Sequence, residues 1–375
     1  MIIRSIDLQR VRIPIAKPYL FARVSVDSIE NIVIRMKGED GLEGIGECCV
    51  RSIISSLDFA EKKLRQDFIP AVIGMDSMEI EAILKKMDIE NCPDLGPVAG
   101  IEMALWDLNG KILELPAYKL LGGPYDLNIP VSFTLSSAPP EKMAETALKM
   151  VEQGYKTFVV KIEKGHLQED VERVRVIRER RGPDIKLKLD ANAGYTVDEA
   201  IRVCRALEAY DILYIEQPIA PRDIEGLKKI AGATGVPICI DEGLEHLSDA
   251  LAYARCGAVK FFNIKPPQVG GLWMAKKMAA IAEGAGIACV CGGRLAFEIV
   301  RQASRHFVAS TPQACLGHAH EGPGPASQGP IASVAQRTVS FKDVQEAEGF
   351  VRIPEGLGLG VTLDEDQMKR YAVPR

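Results

Sequence analysis

Five ionisable residues, Lys161, Asp190, Glu216, Asp241 and Lys265, recur at a near-constant interval through the second half of the sequence. The steps are 190 − 161 = 29, 216 − 190 = 26, 241 − 216 = 25 and 265 − 241 = 24 residues, each the length of one strand plus one helix. Three acids come in succession, with a lysine on either side of them. If the acids end adjacent strands, which lie roughly 4.8 Å apart, their carboxylates converge on one point and repel one another. A divalent cation removes that repulsion, and all-oxygen ligation suits Mg²⁺, or Mn²⁺, far better than zinc. Asp190, Glu216 and Asp241 are therefore the candidate metal ligands. Taken singly, each acid reads as a helix N-cap or a surface charge, and each lysine as a snorkelling surface side chain. The register of all five is what those readings leave unexplained.

Lys161 and Lys265 are the candidate acid and base. Four strand positions of eight separate them, half a turn of a closed barrel, so each meets one face of a substrate held between them. Burial and a nearby dication both disfavour an ammonium, which lets a lysine of ordinary pKa about 10.4 act as a base near neutral pH. The matching chemistry is removal of a proton α to a carboxylate. That step is hard because it puts a second negative charge on the carboxylate. A metal on the carboxylate oxygens stabilises the resulting enediolate more than the ground state.

The elements that must position these residues are legible as a repeat. From Asn128 onward a short apolar strand, a loop and an amphipathic helix alternate, with candidate strands at 129–134, 158–162, 185–190, 212–216, 238–241, 259–265, 287–291 and a weaker one near Cys315. This alternation predicts an α/β fold, a modified (β/α)-barrel of the TIM type with seven to eight units, with an open doubly wound sheet as the alternative. Ligands bind at the C-terminal rim of such a barrel, where the five residues fall. Gly356-Leu-Gly-Leu-Gly360 reads as a turn, since no Gly-x-Gly-x-x-Gly opens a helix after a strand.

The first third has a different period. Residues 1–50 alternate apolar and polar positions, as in Val11-Arg-Ile-Pro-Ile15 and Asn31-Ile-Val-Ile-Arg-Met36, which predicts a small antiparallel meander with turns at 38–46. Residues 16–27, carrying Tyr19 and Arg23, lack clean periodicity and read as a loop. Residues 57–68, 78–87 and 98–113 place apolar side chains three and four apart, the helical spacing. We therefore expect an N-terminal α+β capping domain over 1–125 that closes at Gly122-Gly123-Pro124. A barrel over 126–344 follows, and a segment over 345–375 packs back on the first domain.

Several neighbours support the site. Asn192, two residues after Asp190, points to the same side of a continuing strand and is placed to orient a ligand or a lysine. Gln217 and Glu242, next to Glu216 and Asp241, fit turn-forming and supporting roles equally. Arg294, after Gly292-Gly293, suits an anionic part of the substrate. His318, His320 and Glu321 lack a third ligand at metal spacing, which favours contact with substrate or a loop over a second metal site.

Composition narrows the partners. The chain of 375 residues is 47% hydrophobic and 26% charged with a net charge of −5, an ordinary globular balance. It has no dense Lys/Arg block for a phosphate backbone, so nucleic acid is excluded as a partner. The nine cysteines are scattered without a Cys-x-x-Cys pair, which fits reduced thiols rather than disulfides or a zinc ribbon. No stretch is long and apolar enough to span a bilayer and no secretory h-region opens the chain, so the expectation is a cytoplasmic enzyme, a homo-oligomer acting on a small carboxylate.

On these motifs the chain resembles the enolase superfamily, specifically the muconate lactonizing enzyme subgroup of the mandelate racemase/muconate lactonizing enzyme family. Dipeptide epimerases, N-acylamino acid racemases and o-succinylbenzoate synthases belong to the same subgroup. The likeness runs through Asp40-Gly-Leu-Glu-Gly-Ile-Gly-Glu47, Ile101-Glu-Met-Ala-Leu-Trp-Asp107 and Leu121-Gly-Gly-Pro124 in the first third. In the barrel it covers Leu189-Asp-Ala-Asn192, Ile215-Glu-Gln-Pro218, Ile240-Asp-Glu242 and Asn263-Ile-Lys-Pro-Pro-Gln-Val-Gly-Gly271. It implies the same metal ligands and the same two lysines that the spacing selects. Three departures stand out. Val159 replaces the first lysine of the usual Lys-x-Lys, which removes a positive charge near Lys161. Strand seven carries Arg294-Leu-Ala-Phe297 where relatives place a glutamate. Strand eight lacks the Asp-x-Asp that takes a dipeptide's amino group, which argues against an ordinary dipeptide substrate.

The leading reading is 1,1-proton transfer, the racemisation or epimerisation of an amino-acid derivative or related carboxylate, because two opposed lysines serve both faces. Cycloisomerisation of the muconate type and β-elimination of the o-succinylbenzoate type use the same site with one lysine. A lyase using Lys265 as a Schiff base is the alternative of another class, and a barrel kept only for binding is the last.

Overall fold

In the computed structural model the described residues are all but 22–23, 51–55, 164, 317–333, 337–347, 354–355 and 375. The chain opens with an antiparallel meander, β1 (Ile3–Phe21), β2 (Val24–Gly38) and β3 (Glu43–Cys48), in that spatial order. β2 is central, and Ile32, Val33 and Ile34 are fully buried. Residues 16–27 differ from the loop expected of them. The described residues on either side of 22–23 continue the hairpin, with Tyr19 opposite Val26, Leu20 opposite Ser25 and Phe21 opposite Val24, beyond a register irregularity between Pro14 and Tyr19. Pro14 and Pro18 obscure the alternation, and a proline is tolerated there because β1 is an edge strand. The expected turn over 38–46 is also shorter, since β3 already starts at Glu43.

Helices follow. Ser56 caps Leu57–Lys63 by accepting from the Phe59 N–H at 3.2 Å, and Ile80–Lys86 leads to the long helix Gly96–Ile112. Gly96 through Gly110 are all buried, because β3 lies directly on this helix. An added Cβ at Gly46 would run into the Gly100 carbonyl and come within 2.9 Å of the Ala104 nitrogen, and one at Gly44 would come within 2.7 Å of Leu108 Cβ. The glycines of the Asp40–Glu47 motif thus exist to let a strand and a helix touch backbone to backbone.

Seven parallel strands among the described residues make the barrel sheet: β5 (Phe133–Leu135), β6 (Thr157–Lys161), β7 (Lys186–Asp190), β8 (Ile212–Glu216), β9 (Ile238–Ile240), β10 (Val259–Asn263) and β11 (Ala288–Val290), neighbours in chain order. The helices between them carry the apolar faces that cover the sheet, giving a (β/α)-barrel of the TIM type with an N-terminal α+β cap. Two strand expectations are corrected. The run 129–134 splits: β4 (Asn128–Pro130) pairs antiparallel with Phe350–Arg352, and only Phe133–Leu135 joins the barrel. Near Cys315 there is no strand but the helix Pro312–Leu316. Pro312 opens its first turn, and a short apolar run has no periodicity to tell strand from helix.

Cap and barrel are tied by buried acids. Glu102 accepts from the Leu272 and Trp273 N–H groups at 2.8 and 2.7 Å and from the Trp106 indole at 2.6 Å, capping the helix Leu272–Gly284 from the other layer. Glu47 does the same at Glu298–Ala309, accepting from Phe297 and Val300 N–H. The C-terminal residues lie on the meander, with Val373 N–H donating to the Arg10 carbonyl at 3.1 Å and Arg12 N–H to that of Tyr371 at 2.9 Å. No helix of the described residues is long and apolar enough to cross a membrane.

Because the obstruction at Gly46 is backbone, no side-chain rotation relieves it. Gly46→Ala should lower the urea-unfolding free energy by about 3 kcal/mol, near the upper end for overpacking. A change below about 0.5 kcal/mol would show that β3 and the helix are not held at this distance.

Candidate active site

The β-sheet register lays the ionisable residues side by side. Lys161 is opposite Asp190, and Asp190 opposite Glu216, at the C-terminal ends of β6, β7 and β8. Asp241 is the first residue beyond β9. Lys265 lies two residues beyond β10, at the start of the helix Pro266–Val269, rather than ending the strand as expected. Pro266 and Pro267 open that helix, and neither could donate to a ladder. The sheet order separates β6 from β10 by β7, β8 and β9, so the lysines flank the three acids.

All three acids are buried, at 5% exposure or less. Lys161 Nζ donates to Asp190 Oδ2 and, at 2.7 Å, to Asn192 Oδ1. Asn192 in turn donates to Glu242 Oε1 at 2.9 Å. Lys265 Nζ donates to Asp241 Oδ2, and Asn263 Nδ2 donates to Glu216 Oε1 at 2.9 Å. Gln217 is a turn residue, with φ +35° and its side-chain oxygen accepting from the Asp241 and Gly243 N–H groups at 3.1 Å each. The expected supporting residues Asn192, Gln217 and Glu242 are thus in contact with the cluster or its strand ends.

The electrostatics follow from this packing. Burial, reinforced by the charges of Asp190 and Asp241, pushes the Glu216 carboxyl well above the usual range. Burial also opposes ionisation of Asp241, but the Lys265 ammonium beside it more than offsets that and holds it low. Lys265 is the mirror case: burial disfavours its charge, and Asp241, Glu216 and Glu242 together keep its pKa raised. Burial, then Asp241 and Asp190, lift Glu242 to about 7.

Among the described residues no three His, Cys, Asp or Glu side chains form a ready metal-ligating group. Lys161 and Lys265 hold an oxygen of Asp190 and of Asp241 instead. The donor set nevertheless fits a hard dication. Glu216 Oε2, Asp241 Oδ1 and Glu242 Oε2 are buried oxygens that accept no hydrogen bond, a costly arrangement unless a cation completes it.

Arg294 donates to Gln268 Oε1 at 2.8 Å, and Gln268 donates to the carbonyls of Asp241 and Leu244. Of the remaining specificity candidates, Arg23, His318, His320 and Glu321 lie outside the described residues. Tyr19 contributes described backbone to β1, while its side chain is outside the described set. Sequence reasoning missed Asn263 and Gln268, and it missed Lys188. This lysine is fully buried, donates to Ser132 Oγ at 3.0 Å, stands over the Tyr214 ring, and is depressed to about 7 by burial. For Lys188 the signal was parity, since it is two before Asp190 on β7 and shares its side of the strand, whereas Asn263 ends β10 and Lys265 lies beyond it.

Comparison with known proteins places this geometry among relatives. Residues 3–122 match the family described as mandelate racemase/muconate lactonizing enzyme, N-terminal domain, and residues 142–367 match the enolase C-terminal domain-like family. The N-succinyl-L-Arg/Lys racemase of Bacillus cereus is 32% identical over 100% of this chain and 98% of its own. Its crystal structure superimposes with a TM-score of 0.92, at 30% identity over 100% of this chain and 98% of that one. The hydrophobic dipeptide epimerase of Enterococcus faecalis is 31% identical over 96% of this chain and 100% of its own. A dipeptide epimerase structure from the same organism, complexed with Mg and L-Leu-L-Tyr, has a TM-score of 0.88, at 31% identity over 96% of this chain and 100% of that one. Muconate cycloisomerase 1 of Pseudomonas putida is 30% identical over 98% and 96% of the two chains.

A buried acid whose folded pKa is raised loses stability as pH climbs from its unfolded value through the folded one. Glu216→Gln removes that loss. Without added metal, the variant should therefore melt at a higher temperature than the parent at pH 8, with the difference shrinking toward pH 5. A variant less stable than the parent at pH 8 would mean that Glu216 is not under charge repulsion.

Proposed function

The chain belongs to the mandelate racemase/muconate lactonizing enzyme family of the enolase superfamily and is an isomerase of that superfamily, and from this premise we propose that it racemises or epimerises an N-acylated amino acid or related carboxylate by 1,1-proton transfer. The observation that carries the reading is the pair of lysines four strands apart, each held on an acid of the same buried cluster. An enzyme that removes a proton from one face and returns it on the other needs two such groups, whereas cycloisomerisation or elimination needs one.

Asp190, Glu216 and Asp241 are the residues that would hold Mg²⁺ or Mn²⁺, with Glu242 beside them. When bound, the dication supplies Lewis-acid stabilisation of the charge that develops on the substrate carboxylate. The protein's own groups do the rest. Lys161 and Lys265 are ammonium partners of Asp190 and Asp241 in this structure. Once those carboxylates are neutralised from another source, burial favours the free amine of Lys265, and either lysine can then serve to accept the α-proton. Asn192 keeps Lys161 aimed through its 2.7 Å contact. Val159, buried one layer below, leaves Lys161 without a lysine neighbour on its own strand. Arg294, through Gln268, is placed near the Asp241 side of the mouth and suits an anionic acyl group.

The whole-length likeness to a racemase of N-succinyl amino acids supports an N-acylamino acid, and N-succinyl-lysine is the first probe. In D₂O with Mg²⁺, both enantiomers should exchange the α-proton, and EDTA should stop it. Lys161→Ala and Lys265→Ala should each suppress exchange from one enantiomer by about 10²–10⁴-fold and leave the other exchanging. Exchange confined to one face would favour the single-lysine reactions. Indifference to EDTA together with borohydride trapping at Lys265 would point to a Schiff-base lyase.

A further inference from the structure

We propose that Gly292 is a positioning residue that sets where the Lys265 amine stands, so that its lack of a side chain controls one face of the reaction and not the other. The catalytic part of this statement rests on the reading of Lys265 as a one-face acid/base. The positional part does not.

Two residues after β11, Gly292 lies against the side chains of Lys265 and Asn263. A Cβ added at Gly292 would collide with Lys265 Cε and Asn263 Oδ1 and come within 2.7 Å of Asn263 Nδ2. The three nearest atoms all belong to side chains that contact the acid cluster: Lys265 holds Asp241, and Asn263 holds Glu216. This is unlike Gly44 or Gly46, where the obstruction includes helix backbone. The backbone conformation is not the reason for glycine, since the φ of Gly292 is not positive.

Something must move if a methyl group is present, and the structure limits what can. The strand end below is pinned by the Ile264 N–H donating to the Val290 carbonyl at 2.9 Å. The span above is pinned by Arg294 donating to Gln268 at 2.8 Å, and Gln268 is itself held on the Asp241 and Leu244 carbonyls. The Lys265 backbone is fixed by Pro266 and Pro267 and by the Gln268 N–H donating to the Lys265 carbonyl at 2.7 Å. What can still turn is the four-carbon stem of Lys265 and the Asn263 amide. A methyl at 292 therefore turns the lysine off Asp241 while the fold stays in place. Lys161 lies four strands away on β6 and is untouched.

The test is Gly292→Ala in the full chain. Its crystal structure should superimpose on the parent through the barrel, with Lys265 Nζ withdrawn from Asp241. A Lys265 still on Asp241, with 291–294 retreated, overturns the proposal. α-Proton exchange in D₂O should fall by about 10²-fold on the face that Lys265→Ala abolishes, as expected for a misplacement of about 1 Å, through kcat rather than KM. Exchange on the Lys161 face should stay within about threefold of the parent. Equal loss on both faces, or loss on neither, also overturns it. If the parent exchanges no carboxylate tried, the functional reading fails and the crystal structure still decides the positional claim. Should Gly292→Ala fold poorly alone, it is made in a Lys265→Ala/Asn263→Ala background. There it should cost no further stability, and an undiminished cost would show that the glycine serves the backbone.

Discussion

Asp190, Glu216 and Asp241 stand at or one residue beyond the ends of three adjacent strands, all buried, and their mutual repulsion is the constraint to which the rest of the site answers. Each neighbour is a response to it. Lys161 and Lys265 neutralise the outer two acids, Asn263 donates to the middle one, and the Asn192–Glu242 contact links the Lys161 side to the Asp241 side. Even so, buried oxygens of Glu216, Asp241 and Glu242 accept nothing. The donor set thus suits a cation, and in this structure the two lysines offset the charge of the outer acids.

That constraint is sustainable only on a rigid frame. The cap is held on the barrel by Glu102 and Glu47, two buried carboxylates that cap barrel helices across the layer boundary. Burial pushes Glu102 up to about 7, so even these ties are made against an electrostatic cost, offset by backbone and indole donors. The close seat of β3 on the helix Gly96–Ile112 brings Glu47 to the barrel. Gly44 and Gly46 let the strand lie against the helix backbone, and Glu47, the next residue along, then reaches the Phe297 N–H.

Much of this was legible because barrels write their active sites periodically. One strand and one helix per unit make the rim residues recur at a regular interval, so Lys161, Asp190, Glu216, Asp241 and Lys265 could be selected before any contact was known. Other features carry no such signal. Residues 19–21 and 24–26 pair as a hairpin beyond a register irregularity that no alternation reveals, and the short apolar run near Cys315 suits a helix as well as a strand. The run 129–134 reads as one strand, yet its two halves pair with different sheets.

By itself the sequence determined the repeat, the residue types at the rim and therefore the chemistry they permit, since these depend on local period and on which atoms carry charge. Only the tertiary structure decided which oxygens are left without a donor, that Lys188 is fully buried against Ser132 and Tyr214, and that Gly292 lies against Lys265. Those facts arise from segments distant in sequence being forced into contact, and interior packing at that density is a property of the assembled chain rather than of any stretch of it.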